Sequence, residues 1–269
     1  MSTLKKCFTL GLAGLLSAWA VGCSKHGSDV KLVKAGTLTT CTNLPHAPFE
    51  FERDRTIVGF DVDLVDLMAK KLGVKRTFVD TSFENLKTGA LLESGQCDLV
   101  AGSLTITEER RKNVDFSEPY FEAHQVLVVK RGSGITDLAS LKASGKPIGA
   151  QANTIGEDFI KGKGFQPISF ESTEAVLLAL RSGRVDAIIE DQPAIQNWMK
   201  ESAHSNFQIA AQLESGEKIG FAVKKGNGKL LAVINDVVAQ ARADGTYEQL
   251  RGKWFGQSLG AVPAPANPQ

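Results

Sequence analysis

Between Gly102 and Arg110 the chain gathers groups suited to holding an anion: the hydroxyls of Ser103 and Thr105, a glycine and a guanidinium. Leu99-Val100-Ala101, after Asp98, reads as a short buried strand leading into them. Thr105 and Glu108 have capping-box spacing, and Thr107 before two acids is a second possible helix start. A strand therefore ends, the backbone turns and a helix begins. Open amides at such a turn attract anions. A guanidinium beside them clamps a carboxylate, and Gly102 lets a ligand approach the main chain. The alternative is an ordinary strand–loop–helix with a surface arginine, since a motif this short is only a hypothesis.

A second set of candidates lies later. Glu190-Asp191-Gln192-Pro193 follows the apolar run Ala187-Ile188-Ile189. Pro193 suits the first turn of a helix and Asp191 its cap. Ser94-Gly95-x-x-Asp98 and Ser182-Gly183-x-x-Asp186 both follow a helical pattern and precede an apolar run. Asp191 thus stands in its half of the chain where Gly102 and Ser103 stand in theirs. Ligands of open α/β sheets bind outside the carboxyl ends of strands, so Asp191 reads either as a helix cap or as an acid facing a ligand. Asp61 and Asp63 have the look of a metal or acid–base pair, but they open a helix and read as cap and dipole partners. The histidines His26, His46, His124 and His204 are scattered, and no Ser–His–Asp order, metal cluster or phosphate-cradling glycine loop stands out. No catalytic residue, metal or cofactor is expected.

The elements that position these residues alternate between strand and helix. Leu38 to Thr42 is a strand, and two prolines keep Asn43 to Phe49 irregular. Phe49 to Ile57 is a hairpin about Arg53-Asp54-Arg55. A helix begins at Gly59, with Leu64, Val65, Met68, Ala69 and Leu72 at helical spacing and Gly73 as its C-terminal cap. Arg76 to Val79 is a strand; Phe83 follows, then a helix over about 84–93. Further on come a strand at Lys146 to Ala150, the loop Gln151-Ala152-Asn153-Thr154, a helix at Gly156 to Lys161 and a strand at Ile168 to Phe170. Ser172 caps a helix carrying Val176, Leu177 and Leu180. Lys218 to Val223 is a crossing strand, Leu230 to Ala241 stripe a long helix, and a last helix runs from Thr246 to near Trp254-Phe255, aromatics that read as core. Strands alternating with helices argue for parallel sheets, and the matching flanks for two similar lobes.

At 269 residues the chain suffices for one large domain or two modest ones. A net charge of +1 gives no reason to expect nucleic acid, and 42% apolar residues is ordinary for a globular protein. Lys5 and Lys6 precede an apolar run from Phe8 to Val21, too short for a comfortable membrane span. Ala20-Val21-Gly22-Cys23 resembles a lipobox. Residues 1–22 are therefore a signal peptide, Cys23 a lipidation site and 23–29 a tether; the alternatives are a plain secretory signal or a short membrane anchor. Cys41 and Cys97 remain after export, either bridged or as two buried thiols. If their strands are parallel neighbours, the Cα atoms could lie beyond a bridge's reach. The Pro- and Ala-rich tail, 258–269, reads as disordered.

Asp115-Phe116-Ser117-Glu118-Pro119-Tyr120-Phe121 and Val126-Leu127-Val128-Val129 continue the run that begins at Gly102. With Gly59-Phe60-Asp61-Val62-Asp63 and the closing Ala243-Asp244-Gly245-Thr246-Tyr247 and Lys253-Trp254-Phe255, it resembles the polar-amino-acid family of solute-binding proteins that feed ABC importers, over about Leu38 to Gly256. The resemblance implies a type II periplasmic-binding-protein fold of class α/β: two similar α/β lobes with mainly parallel sheets, joined by hinge strands near 125–130 and 216–220, with the ligand in the interlobe cleft. Lobe 1 is 30–125 plus 220–257, and lobe 2 is 126–219. It further implies a non-enzymatic, extracytoplasmic monomer whose partners are a small-molecule amino acid, permease subunits and, through Cys23, the membrane. Carried over residue by residue, Arg110, Thr105 and Thr154 hold the ligand's carboxylate, and Asp191, Ser103 and Gly102 its ammonium. Asn43, His46, Phe83, Gln151 and Glu190 surround its body and side chain. Asn43 stands where an acid is common, His46 where Phe or Tyr is, and Gln-Ala-Asn-Thr where Gln-Gly-Thr-Thr is more usual. Because Asn43, His46 and Gln151 can all donate, glutamate or glutamine is expected ahead of arginine, lysine and histidine. That order reverses if Glu190 points into the cleft. The alternative on the same fold is a lyase of the cyclohexadienyl dehydratase type, with Glu190 as general acid.

Overall fold

The computed structural model describes residues 30–256; the expected signal segment, Cys23 with its tether and the C-terminal tail lie outside the described residues. β1 (Thr37–Thr42) leads into the two-proline loop, and β2 (Phe51–Arg53) and β3 (Thr56–Val58) form the hairpin, turned by Asp54 and Arg55 at φ 50 and 61. α1 (Phe60–Leu72) ends at Gly73, φ 70, and β4 (Lys75–Asp80) pairs parallel with β1. Where one helix was expected over 84–93 there are two, α2 (Phe83–Thr88) and α3 (Ala90–Glu93). Gly89 breaks them at φ 70, and a Cβ there would lie 2.3 Å from Val114 Cγ1, so the neighbouring strand fixes the kink. β5 (Leu99–Val100), α4 (Glu108–Arg111) and β6 (Val114–Phe116) follow.

β7 (Phe121–Lys130) leaves this sheet for a second one. There α5 (Leu138–Ser144), β8 (Ile148–Gln151), α6 (Ile155–Gly162), β9 (Ile168–Phe170), α7 (Thr173–Ser182), β10 (Ala187–Asp191) and α8 (Gln192–Trp198) alternate. β11 (Phe207–Ile219) returns to the first lobe, where β12 (Ala222–Lys224), α9 (Gly228–Ala243) and α10 (Thr246–Phe255) complete it. α5 and the first half of β11 have no counterpart among the expected elements. The strand expected over Lys218 to Val223 is in fact the end of β11 and the first two residues of β12. Between them Gly220 N donates to Leu104 O and Phe221 N to Ser117 Oγ, which carries the chain from one sheet to the other.

The sheet orders are β4-β1-β5-β12-β6 and β11-β7-β10-β8-β9. β4, β1 and β5 run parallel, as do β10, β8 and β9; β12 and the β7–β11 pair run antiparallel to their neighbours. Side chains alternate between faces as the pleat requires. Leu38, Leu99 and Val223 enter one apolar cluster, and Cys41, Val100 and Ala222 the opposite one. In the second sheet Val126, Val128 and Ile188 face one way, and Leu127, Val129 and Ile189 the other. Each fully buried large apolar side chain contributes about 1.5–3 kcal/mol. β7 has Phe121 and Ala123 in the first lobe's core and Val126 onward in the second's; β11 has Ile219 in the first and Leu213 in the second. The chain thus crosses between lobes twice, on adjacent strands.

Cys41 and Cys97 are disulfide-bonded with their Cα atoms 5.8 Å apart, within bridging reach. Asp98 N already bonds Thr39 O at 2.8 Å, so the segment before β5 lies close alongside β1, closer than the strand limits alone suggest.

Candidate ligand-binding cleft

The carboxyl ends of β1, β5, β8 and β10 face one cavity between the lobes. After β5, Ser103 adopts φ 47, and its N–H donates to Asp61 Oδ2 at 3.3 Å. Asp61 also accepts Tyr120 OH at 2.7 and 2.8 Å and is fully buried. The expectation of Asp61 as a helix cap is therefore corrected: Gly59 occupies the cap position of α1, and Asp61 faces inward to hold the Ser103 turn. Burial pushes its carboxyl up to about 7, against the lowering hydrogen bonds of Tyr120 and Ser103. Asp63 turns outward, to Lys253 Nζ at 2.6 Å and Trp254 Nε1 at 2.7 Å.

Of the two possible helix starts, Thr107 is the one used; its hydroxyl accepts Arg110 N at 3.1 Å. That cap turns Arg110 inward. It is buried, donates to Thr105 O at 2.8 Å and to Asn153 O of the other lobe at 3.5 Å, and lies 5.5 Å from the centre of the Phe83 ring. Burial lowers its pKa, and Glu217 is the first of the acids that pull it back up. Thr105, released from capping, donates to Glu217 Oε2 at 2.7 Å.

In the second lobe Thr154 caps α6 and donates to Gln151 O at 2.8 Å. Glu157 accepts Asn153 N at 3.0 Å, steadying the φ 66 conformation of Asn153. Gln151 Nε2 donates to Asn43 Oδ1 at 2.8 Å. Asp191 sits at the cap position of α8 yet makes no side-chain capping bond. Its carboxylate instead accepts Gln125 Nε2 and, at 3.4 Å, Ser103 Oγ. His46 Nε2 approaches it at 3.5 Å, at ion-pair distance but outside hydrogen-bond geometry. His46 also stacks on Phe49 at 5.5 Å and meets Thr173 Oγ1 at 3.0 Å. Burial lowers the His46 pKa, but Asp191, Glu190 and Asp61 outweigh it and the net shift is upward.

Asn43, His46, Phe83, Gly102, Ser103, Thr105, Gln151, Thr154, Glu190 and Asp191 all line the cavity. Arg110 stands directly behind Thr105 and Phe83. Glu190 accepts Asp191 N at 3.0 Å through Oε1, while its buried Oε2 has no hydrogen-bond partner. Burial, then Asp191, push its carboxyl up to about 7. Sequence reasoning missed Glu50, Gln125 and Glu217, which line the same cavity, with Ile155 and Ile189 as apolar wall. Gln125 Nε2 bridges Asp191 to Glu217 Oε1, the latter at 3.0 Å. Burial and Asp191 raise Glu217 to about 7. The signal was there: a glutamine abutting the apolar run 126–129, and an acid between Phe49 and Phe51.

Residues 38–257 match the model of bacterial extracellular solute-binding proteins, family 3. The chain belongs to this family. It is 36% identical over 245 residues to the arginine-binding extracellular protein ArtP of Bacillus subtilis, covering 88% of this chain and 91% of that one. It is 30% identical over 258 residues to a probable histidine-binding protein of Campylobacter jejuni, covering 93% and 99%. Among solved structures, an ancestral arginine-binding protein bound to glutamine is 40% identical with a TM-score of 0.77, covering 83% of this chain and 100% of that one. Family 3 proteins are extracellular solute binders, and among the described residues of this one no helix is long and apolar enough to cross a membrane.

Proposed function

We propose that the chain is the capturing subunit of an amino-acid ABC importer, acting as a monomer beside its permease, and that its ligand is an L-amino acid with a cationic side chain. The amino-acid reading is supported by charges divided between the lobes. Arg110, with Thr105 and Thr154, takes the α-carboxylate; Asp191, with Ser103 and Gly102, takes the α-ammonium. Closing the lobes buries each ligand charge beside its partner. Phe83 and His46 flank the ligand's body.

Glu190 carries the cationic assignment. It lines the cavity and its Oε2 lacks a donor. Its Oε1 accepts Asp191 N, and leaving the other oxygen of a buried carboxylate without a donor is costly. A guanidinium or ammonium satisfies it, whereas a glutamate ligand sets another anion beside it. Gln151 Nε2 is engaged by Asn43, so the donors that favour glutamate or glutamine first are partly used, and the order reverses. Competitive calorimetry with arginine, lysine, histidine, glutamine and glutamate tests this. Arginine or lysine should exceed glutamate by at least about tenfold in affinity, with Glu190→Gln narrowing the gap. Glutamate or glutamine ahead by that margin overturns the cationic assignment, and no binding by any amino acid overturns the amino-acid reading.

With its carboxyl near 7, Glu190 also has the protonation behaviour of a general acid, which favours as second reading a lyase of the cyclohexadienyl dehydratase type; turnover of prephenate or arogenate would establish it. We further propose that acylated Cys23 holds the protein at the membrane. A labelled fatty acid should enter the wild type but not Cys23→Ala.

A further inference from the structure

Glu217 lies on β11, one of the two strands that cross between the lobes, and is 4% exposed. Both its oxygens are engaged: Oε2 accepts the Thr105 hydroxyl at 2.7 Å, and Oε1 accepts Gln125 Nε2 at 3.0 Å. Gln125 Nε2 also donates to Asp191, so one amide stands between two carboxylates. Inside the cleft the charged groups that act on Glu217 are Arg110 on α4 and Asp191 at the end of β10. On its other side the exposed Arg111, Glu118 and Lys218 line an outer groove that Thr105 and Glu217 also border.

Two counts conflict when a ligand's α-carboxylate enters this end of the cleft. Thr105 has one hydroxyl proton, and an ionised carboxylate only accepts, so Thr105 cannot donate to Glu217 and to the ligand together. Arg110 has one positive charge, and the ligand sets a further carboxylate beside it. Like charges sharing a site disfavour ionisation. A proton on Glu217 Oε2 resolves both conflicts. The new O–H donates to Thr105 Oγ1, the Thr105 hydroxyl turns to the ligand, and Oε1 still accepts Gln125.

We infer that Glu217 is a positioning residue that takes up a proton as the ligand binds: the ligand's carboxylate replaces it as the counter-charge of Arg110, and the Thr105 hydroxyl turns from Glu217 to that carboxylate. This rests on the amino-acid-binding reading and adds to it a proton that every amino acid must bring. Burial, then Asp191, already hold the Glu217 carboxyl up at about 7, against the lowering bonds of Thr105, Gln125 and Ser215. A ligand carboxylate raises it further. The proton comes from solvent, by way of the outer groove. At pH below that value Glu217 is protonated before the ligand arrives. Above it binding must draw in the proton, so affinity falls as pH rises. The α-carboxylate is common to arginine and glutamine, and both should show the effect.

Calorimetry at about pH 8, in two buffers of different ionisation enthalpy, counts the protons. With either ligand the wild type should take up about one more proton than Glu217→Gln. Between about pH 6 and 8 the wild type's affinity should fall about tenfold more than the variant's. A merely structural role would weaken the variant without moving either difference. If Glu217→Gln does not fold, the glutamate carboxyls are labelled with carbon-13, and the resonance missing from Glu217→Asp identifies Glu217. In the wild type at about pH 8 that resonance should move from its ionised to its protonated position on saturation with glutamine. Equal proton counts in wild type and Glu217→Gln, or a Glu217 resonance that stays ionised, overturns the inference while leaving amino-acid binding intact. Failure of both ligands to bind the wild type overturns the amino-acid reading and this inference with it.

Discussion

Arg110 is aimed by its own helix. Thr107 caps α4 through the Arg110 amide, and Thr105 O and Asn153 O fix the guanidinium from two lobes. Asp191 is fixed in the same way by Ser103 and Gln125. Within its own lobe Arg110 is already held by Thr105 O, and Arg110→Ala or Asp191→Ala leaves one of the ligand's charges buried without its partner. We expect a loss on the order of 3–5 kcal/mol, at least about a hundredfold in affinity, with circular dichroism unchanged. Near-native affinity in either variant would refute its role as a charge partner. Arg110 was legible because type, spacing and a strand–turn–helix context coincide. Asp191 was ambiguous, since a cap and a ligand acid look alike in one dimension; in three, its carboxylate turns from the helix toward Ser103. Glu217 was not legible at all. On a strand, an acid among alternating residues reads as solvent-facing, and it is Thr105 and Gln125, brought beside it by the cleft loop and by β7, that make this one internal.

Elements with local causes were legible. The period of α1 and the left-handed Gly73 that ends it can be read without knowing what packs on them, as can the Ser172 cap of α7. What the sequence left open depends on distant partners. Gly89 splits α2 from α3 because Val114 lies against it, and β11 gives way to β12 because Leu104 and Ser117 take the intervening amides. Gly59 belongs to the same class. Its φ is 147, and a Cβ would lie 2.0 Å from Phe49 O, so backbone meets backbone and no rotamer relieves the clash. That close approach turns α1 toward the cleft and lets Asp61, its second residue, reach Ser103. A motif read as helix start thus also builds the floor of the site.

At the scale of the whole molecule, two lobes with separate cores share only β7, β11 and the walls of the cleft. Among the described residues the polar contacts between the walls include His46 to Thr173 at 3.0 Å, Gln151 to Asn43 at 2.8 Å, Ser103 to Asp191 at 3.4 Å, Arg110 to Asn153 at 3.5 Å and the approach of His46 to Asp191 at 3.5 Å. A typical net hydrogen bond contributes only about 0.5–1.5 kcal/mol. Against them stand the Glu50 carboxylate and Glu190 Oε2, buried without a hydrogen-bond partner. The carboxylates offset part of what the contacts contribute, and a ligand favours the closed arrangement only by binding it better than the open one. The crossing strands suit such a motion, since β11 is irregular between Leu213 and Glu217, where its pairing with β7 shifts register. A ligand cation pairing with the carboxylates removes the term that opposes closure, and Arg110 and Asp191 make its two ends span the lobes. Small-angle scattering should therefore show a smaller radius of gyration at saturating ligand. The change should be lost in Asp191→Ala even at concentrations that restore occupancy, because one lobe then lacks its grip on the ligand. An unchanged radius in the ligand-saturated wild type would mean that the lobes do not move as a hinge.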